Sequence, residues 1–176
     1  HRVHRRQRQM CIRDRNSLDK AQKINPDISE IYFAKGNVFL RISQLNNAKT
    51  ALKKGLRIEP NNHKAIFQLG NILLMEKNYS EAIKLFDQSV NIKPDFWQAI
   101  NNLGLAYYEK NNINRSIKLF EKAISIEDNA EPLLGLASCL RIKDITLALE
   151  LAKKALTKDP NLSLIHISEP TRPFHI

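Results

Sequence analysis

Apolar residues recur along this chain at helical spacing, in short stretches broken by polar turns. In one segment Ile66, Leu69, Leu73 and Leu74 mark a first helix. After the polar "EKNY", Ala82, Ile83, Phe86 and Val90 mark a second. Apolar positions at i, i+3, i+4 and i+7 fall on one face of a helix, so each stretch predicts an amphipathic helix. "EKNY" and "EKNNI" supply the turns between them. Two such helices cannot bury their apolar faces alone, so successive pairs must stack. The expectation is an all-α chain of antiparallel helix pairs.

The pattern repeats. "GNVFLRISQLNNAKTALKKGLRIEP" is followed by "GNILLMEKNYSEAIKLFDQSVNIKP" and "GLAYYEKNNINRSIKLFEKAISIED". Gly36, Gly70 and Gly104 lie 34 residues apart, as do Ala48, Ala82 and Ser116. Pro26, Pro60 and Pro94 keep the same spacing, with Asp128 in the next slot; a fourth unit holds Leu134-Gly135, Ala148, Ala152 and Pro160, its glycine only 31 residues on. A glycine inside a helix costs about 1 kcal/mol against Ala. Close approach of the paired helix, against the small Ala48, Ala82 and Ser116, is the expected reason. Pro60 and Pro94 end the second helices. The carriers Ile66, Leu69-Gly70, Leu73, Ala82, Phe86 and Pro94, followed by Ile100, Leu103-Gly104, Tyr107, Ser116 and Phe120, resemble the tetratricopeptide repeat. The first unit matches through Tyr32, Gly36, Phe39, Ala48, Leu52 and Pro60, with Lys35 where Leu is usual. The resemblance covers about 16–161 and implies a right-handed superhelical solenoid. Its units would be the end of a truncated repeat at 16–26, then 27–60, 61–94, 95–128 and a shortened 129–161.

Charge changes the picture at the ends. The chain carries +10, yet residues 1–15 alone hold six arginines against one acid, half of that excess. "RRQRQMCIRDR" and "LSLIHISEPTRP" are the two translations expected when one transposase-library adapter is read from opposite ends. Residues 1–15 and 162–176 are therefore expected to be non-native and disordered, and an arginine arm for nucleic acid is set aside. "LDKAQKINP" parallels "FEKAISIED", so the native part is expected to start within a second helix and to be an internal, metagenomic or bacterial fragment. Its uncapped apolar ends predict self-association.

Within 16–161 no phosphate-cradling glycine loop, metal spacing or nucleophile–base arrangement is present. No cofactor or metal is expected, and no catalysis within this segment. His63 reads as a solvated residue near a helix start, and Cys139, inside "LLGLASCL", as a buried structural thiol. The resemblance implies that the second helices face outward, so their cations Lys49, Lys53, Lys54, Arg57, Lys84, Lys118, Lys122, Lys153 and Lys154 read as a solubilising outer face. No aromatics interleave with them, which argues against nucleic acid. No apolar run of 18 or more residues is present for a membrane span.

What the resemblance implies is an interaction scaffold whose first helices line a concave groove for a peptide. By resemblance and helical phase the groove residues are Phe33, Asn37 and Arg41, then Lys64, Phe67 and Asn71, then Gln98, Asn101 and Tyr108. Asn37 and Asn71, one repeat apart, could pair with an extended backbone, and the aromatics could supply contact area. The clamp of chaperone-tail binders is not expected, because Phe33, Gln68, Gln98 and Asn102 stand at four of its five slots and only Asn37 matches. The alternative is the substrate-recruiting repeat region of a larger enzyme, a glycosyl- or sulfotransferase, with its catalytic domain elsewhere. Localisation stays open, with the cytoplasm slightly favoured, because the native N-terminus is expected to be missing.

Overall fold

The protein, a computed structural model, is described over residues 16–160. The two terminal segments expected to be non-native lie outside the described residues. Among the described residues the chain forms nine helices and no strand. The first, α1, is described over 16–24. Eight follow in order: α2 (Ser29–Arg41), α3 (Leu45–Ile58), α4 (His63–Met75), α5 (Tyr79–Ile92), α6 (Trp97–Glu109), α7 (Ile113–Ile126), α8 (Ala130–Leu140) and α9 (Ile145–Lys158), of which α2 packs on α3, α6 on α7 and α8 on α9. Packing divides the chain into two compact units with their boundary inside α4, at Ile72 and Leu73.

The turns within pairs show why the polar breaks work. Ser43, Lys77 and Asn111, again 34 residues apart, adopt left-handed backbone, with φ of 59°, 59° and 58°. Each closes the helix before it: the N–H of Gln44, Asn78 and Asn112 returns to the carbonyl of Phe39, Leu73 and Tyr107 at 2.8–2.9 Å. This is the helix-ending geometry that usually takes glycine or asparagine. The next residue often caps the following helix. Asn78 accepts from Glu81 N, Asn112 from Arg115 N and, in the last pair, Asp144 from Leu147 N. The α8–α9 turn lacks the left-handed residue, and Arg141 stays helical there.

The glycines are close-approach positions, but the neighbour differs from the small residue expected. A β-carbon on Gly36 would lie 2.7 Å from Leu52 Cδ2, and one on Gly104 would lie 3.1 Å from Phe120 Cε1. Leu52 and Phe120 sit one turn beyond Ala48 and Ser116. Helical side chains lean back toward the N-terminus, so the larger residue covers the spot over its small predecessor. Ser116 adds a polar tie, its hydroxyl donating to the Gly104 carbonyl at 2.8 Å.

The fourth pair is shortened in two places. Its leading loop has three residues, 127–129, against four at 93–96, and Gly135 is the sixth residue of α8 where Gly104 is the eighth of α6. Pro132 falls in the first turn of α8, where a missing N–H is harmless. In this unit the core runs from Ile100, Leu103 and Phe120 to Leu133, Leu134, Ala148 and Ala152.

Phe120 is 1% exposed, and a β-carbon on Gly135 would lie only 2.4 Å from its Cε1. Gly135→Val should therefore overpack the α7–α8 contact, costing roughly 1–3 kcal/mol. An unchanged melting temperature would contradict this packing. Conversely, Lys77→Gly should relieve the left-handed strain, gaining about 0.5–1 kcal/mol after glycine's greater unfolded-state freedom is subtracted. A lowered denaturation midpoint would count against it.

Candidate peptide-binding faces

Each unit carries its own set of first-helix residues. In the first, Phe33, Asn37 and Arg41 project from α2 and Lys64, Phe67 and Asn71 from α4, and the two helices are joined directly: Gln68 Nε2 donates to Asn37 Oδ1. Arg41 and Lys64 are exposed cations on this set. Asn37 is exposed, and its oxygen accepts from Gln68. Asn71, one repeat later, is only 5% exposed. The two amides therefore stand in different surroundings and do not form a matched pair of solvent-facing groups. Phe33 is half-buried because its ring leans on Gly55 of α3, where any β-carbon would overlap it. Phe67 is half-buried as well.

In the second unit Gln98, Asn101 and Tyr108 lie on α6, which packs against α5, α7 and α8. Gln98 and Tyr108 are half-buried. Burial pushes the Tyr108 hydroxyl pKa up, with Cys139 and Glu109 adding to this and Arg141 opposing it. Asn101 is the outlier. Its side chain is 4% exposed, its amide donates to Asn102 Oδ1 at 3.1 Å, and its own Oδ1 has no hydrogen-bond partner among the described residues. A buried amide oxygen left unsatisfied costs about 1–3 kcal/mol, so a donor brought by a ligand would be rewarded.

Sequence reasoning placed Gln68 only as a mismatched clamp slot and missed its bond to Asn37. The 31-residue separation of the two is what helical phase across a repeat of 34 produces, and that signal was available. The expected outer lysines are exposed on α3, α5, α7 and α9, apart from the half-buried Lys49; Lys84 pairs with Glu81 at 2.7 Å and Lys154 with Asp128 at 3.2 Å.

Family models for the tetratricopeptide repeat match residues 40–107 and 97–130. These are tetratricopeptide repeats. Solved structures of the same all-α helical-repeat solenoid class agree over most of the chain. PilF of Pseudomonas aeruginosa has 20% identity and a TM-score of 0.80, covering 93% of this chain and 75% of its own. MamA from Desulfovibrio magneticus RS-1, in a form starting at its residue 41, has 22% identity and a TM-score of 0.75, covering 92% and 96%. YrrB, described as a TPR protein with an unusual peptide-binding site, has 18% identity and a TM-score of 0.71, covering 91% and 82%. At these identities the likeness shows the fold alone. No curated protein matches the sequence.

Among the described residues no helix is long and apolar enough to cross a membrane, and no His, Cys, Asp and Glu group could hold a metal ion. Cys139 is buried, its sulfur 3.4 Å from the Ser116 hydroxyl. Burial raises the thiol's pKa, and the Ser116 contact only partly offsets it. The thiolate is the reactive form, so Cys139 should stay unlabelled by iodoacetamide in the native repeats and react once they are denatured. Peptide mapping by mass spectrometry would read this at Cys139 itself, and rapid native labelling there would contradict the packing described.

Proposed function

We propose that this chain is a protein–protein interaction scaffold that holds a peptide segment against the exposed faces of its first helices. Tetratricopeptide repeats are interaction modules, and YrrB offers a structurally similar example for which a peptide-binding site is described. The observation that carries the reading is the buried Asn101 oxygen, on the α6 face predicted from helical phase to meet a ligand. An extended peptide presents one backbone N–H per residue, which is the donor this oxygen needs. Tyr108, half-buried two turns along the same helix, supplies rigid contact area beside it. In the first unit, Asn37 offers amide N–H donors, while Arg41 and Lys64 favour a segment carrying acidic side chains.

Selection of a random-peptide phage library on the full chain tests this. Enriched peptides should bind in solution, and Asn101→Ala should weaken them about ten-fold, the worth of one buried hydrogen bond. Arg41→Ala should weaken acidic peptides and reduce the salt dependence. The proposal fails if no peptide enriches, or if both variants bind as the parent does.

A further inference from the structure

The first unit holds a second, unrelated feature on the other side of α2. At about 100° per residue, Tyr32, Lys35 and Phe39 fall within about 60° of one another, across the helix from Phe33, Asn37 and Arg41. They line one wall of a cleft of about 170 Å³ whose other walls are Gln22 of α1 and Asn47, Thr50, Ala51 and Lys54 of α3.

The register makes this cleft abnormal. At Leu69, Leu103 and Leu134 the position equivalent to Lys35 holds a buried leucine. Lys35 is nearly as buried, at 9% exposure against 2–6% for the leucines. Gln22 likewise stands where Leu56, Val90 and Ile124 stand in later units. Ile124 packs on the core that contains Leu134, so an apolar contact in the last pair is a polar one here. Lys35 Nζ donates to Gln22 Oε1 and pairs with Asp19 at 2.6 Å. An isolated buried cation is heavily penalised, and an ion pair often does no better than a packed hydrophobic pair. Pinning α1 to α2 therefore does not require the lysine; leucine achieves it elsewhere in the chain.

The donor inventory suggests what does. An ammonium has three N–H groups, and Asp19 and Gln22 take two. The Tyr32 hydroxyl accepts from Gln22 Nε2 at 3.3 Å, which leaves its own proton free to donate. Lys54, exposed at the rim, has no hydrogen-bond or ion-pair partner among the described residues. Three donors thus meet at the cleft, and Lys35, Lys54 and Asp19 together carry one net positive charge. Phe39 and Ala51 give the remaining wall an apolar character. A cavity of about 150 Å³ accepts benzene when its walls are apolar. We propose that this cleft binds a small organic monocarboxylate with a body of about one ring, its carboxylate held by Lys35, Tyr32 and Lys54 and its ring against Phe39. This site is independent of the peptide faces.

Titration of the full, isotope-labelled chain with benzoate, followed by amide NMR at constant ionic strength, tests it. Saturable shifts should appear at Lys35, Phe39, Thr50 and Ala51. Lys35→Leu, which restores the residue of the other units and should fold, ought to weaken binding about ten-fold or more. Lys54→Gln, at the exposed rim, should weaken it several-fold without altering the melting temperature. Benzamide, the neutral analogue, and inorganic phosphate, the anion without a ring, should both bind far more weakly. Absence of saturable shifts with benzoate overturns the proposal, as does undiminished binding by folded Lys35→Leu. Equal binding of benzamide overturns the anion assignment, and equal binding of phosphate overturns the ring.

Discussion

The ring of Phe120 is held between two glycines on different helices, Gly104 on α6 and Gly135 on α8. This one side chain, from the second helix of a pair, meets the first helix of its own pair and the first helix of the next. Neither first helix can rotate far without driving a larger residue into the ring, because interiors pack at crystal-like density with few voids. The phases of α6 and α8 are thereby fixed, and with them the directions of Asn101 and Tyr108. In the first unit the same lock is built with different volumes. Leu52 takes the place of the phenylalanine against Gly36, and Gly55 makes room for Phe33. At the later copies of that last pair stand Phe67 with Ser89 and Asn101 with Ala123. Phe33 is accommodated on α2 because α3 gives up its β-carbon at Gly55.

That exchange of volume explains which parts of the chain could be read from its sequence. The period of 34 announced the helix pairs, their polar turns and the close-approach glycines, because backbone geometry forces the same residue types at the same phase. The side-chain environment of an inward position follows from the neighbour's volume, which periodicity does not encode. Phe33 sits against α3 because residue 55 is glycine, a fact carried by a different helix. Asn37 and Asn71 share a register position, yet one is exposed and hydrogen-bonded to Gln68 and the other is buried. The 31-residue spacing of the last glycine was visible as a shortening. Its division between one loop residue and two residues of the first turn of α8 required the backbone.

The junction between α7 and α8 shows how a slot can change chemistry and keep its place. Earlier units close their second helix with Pro60 and Pro94, which fix φ and stop the helix locally. Asp128 takes that slot and instead receives Lys158 at 2.9 Å and Lys154 at 3.2 Å, from the far end of α9. These bonds, led by that from Lys158, hold its carboxyl below the usual range. The aspartate is open to solvent, and such pairs contribute little to stability. Closure of the last pair rests on Leu133, Leu134, Ala148 and Ala152, and the ion pairs orient α9 against the loop.

Repetition gives the molecule internal controls. Each register position is sampled several times in nearly the same backbone, so a buried polar residue at an otherwise apolar position cannot be attributed to the demands of the fold. Lys35 and Asn101 are two such departures, both buried and both on first helices. Lys35 stands where leucine serves three times, and Asn101 where Phe33 and Phe67 stand. Each carries unused hydrogen-bonding capacity, a donor on Lys35 and an acceptor on Asn101. Burial of a polar group is unfavourable unless it is bonded, so unused capacity at a buried site is a standing preference for a partner. The two preferences have opposite sense. An amide oxygen selects an N–H, and an ammonium beside a tyrosine hydroxyl selects an anion. The same helix-pair framework therefore presents two chemically distinct demands, each created by a substitution the framework itself did not need.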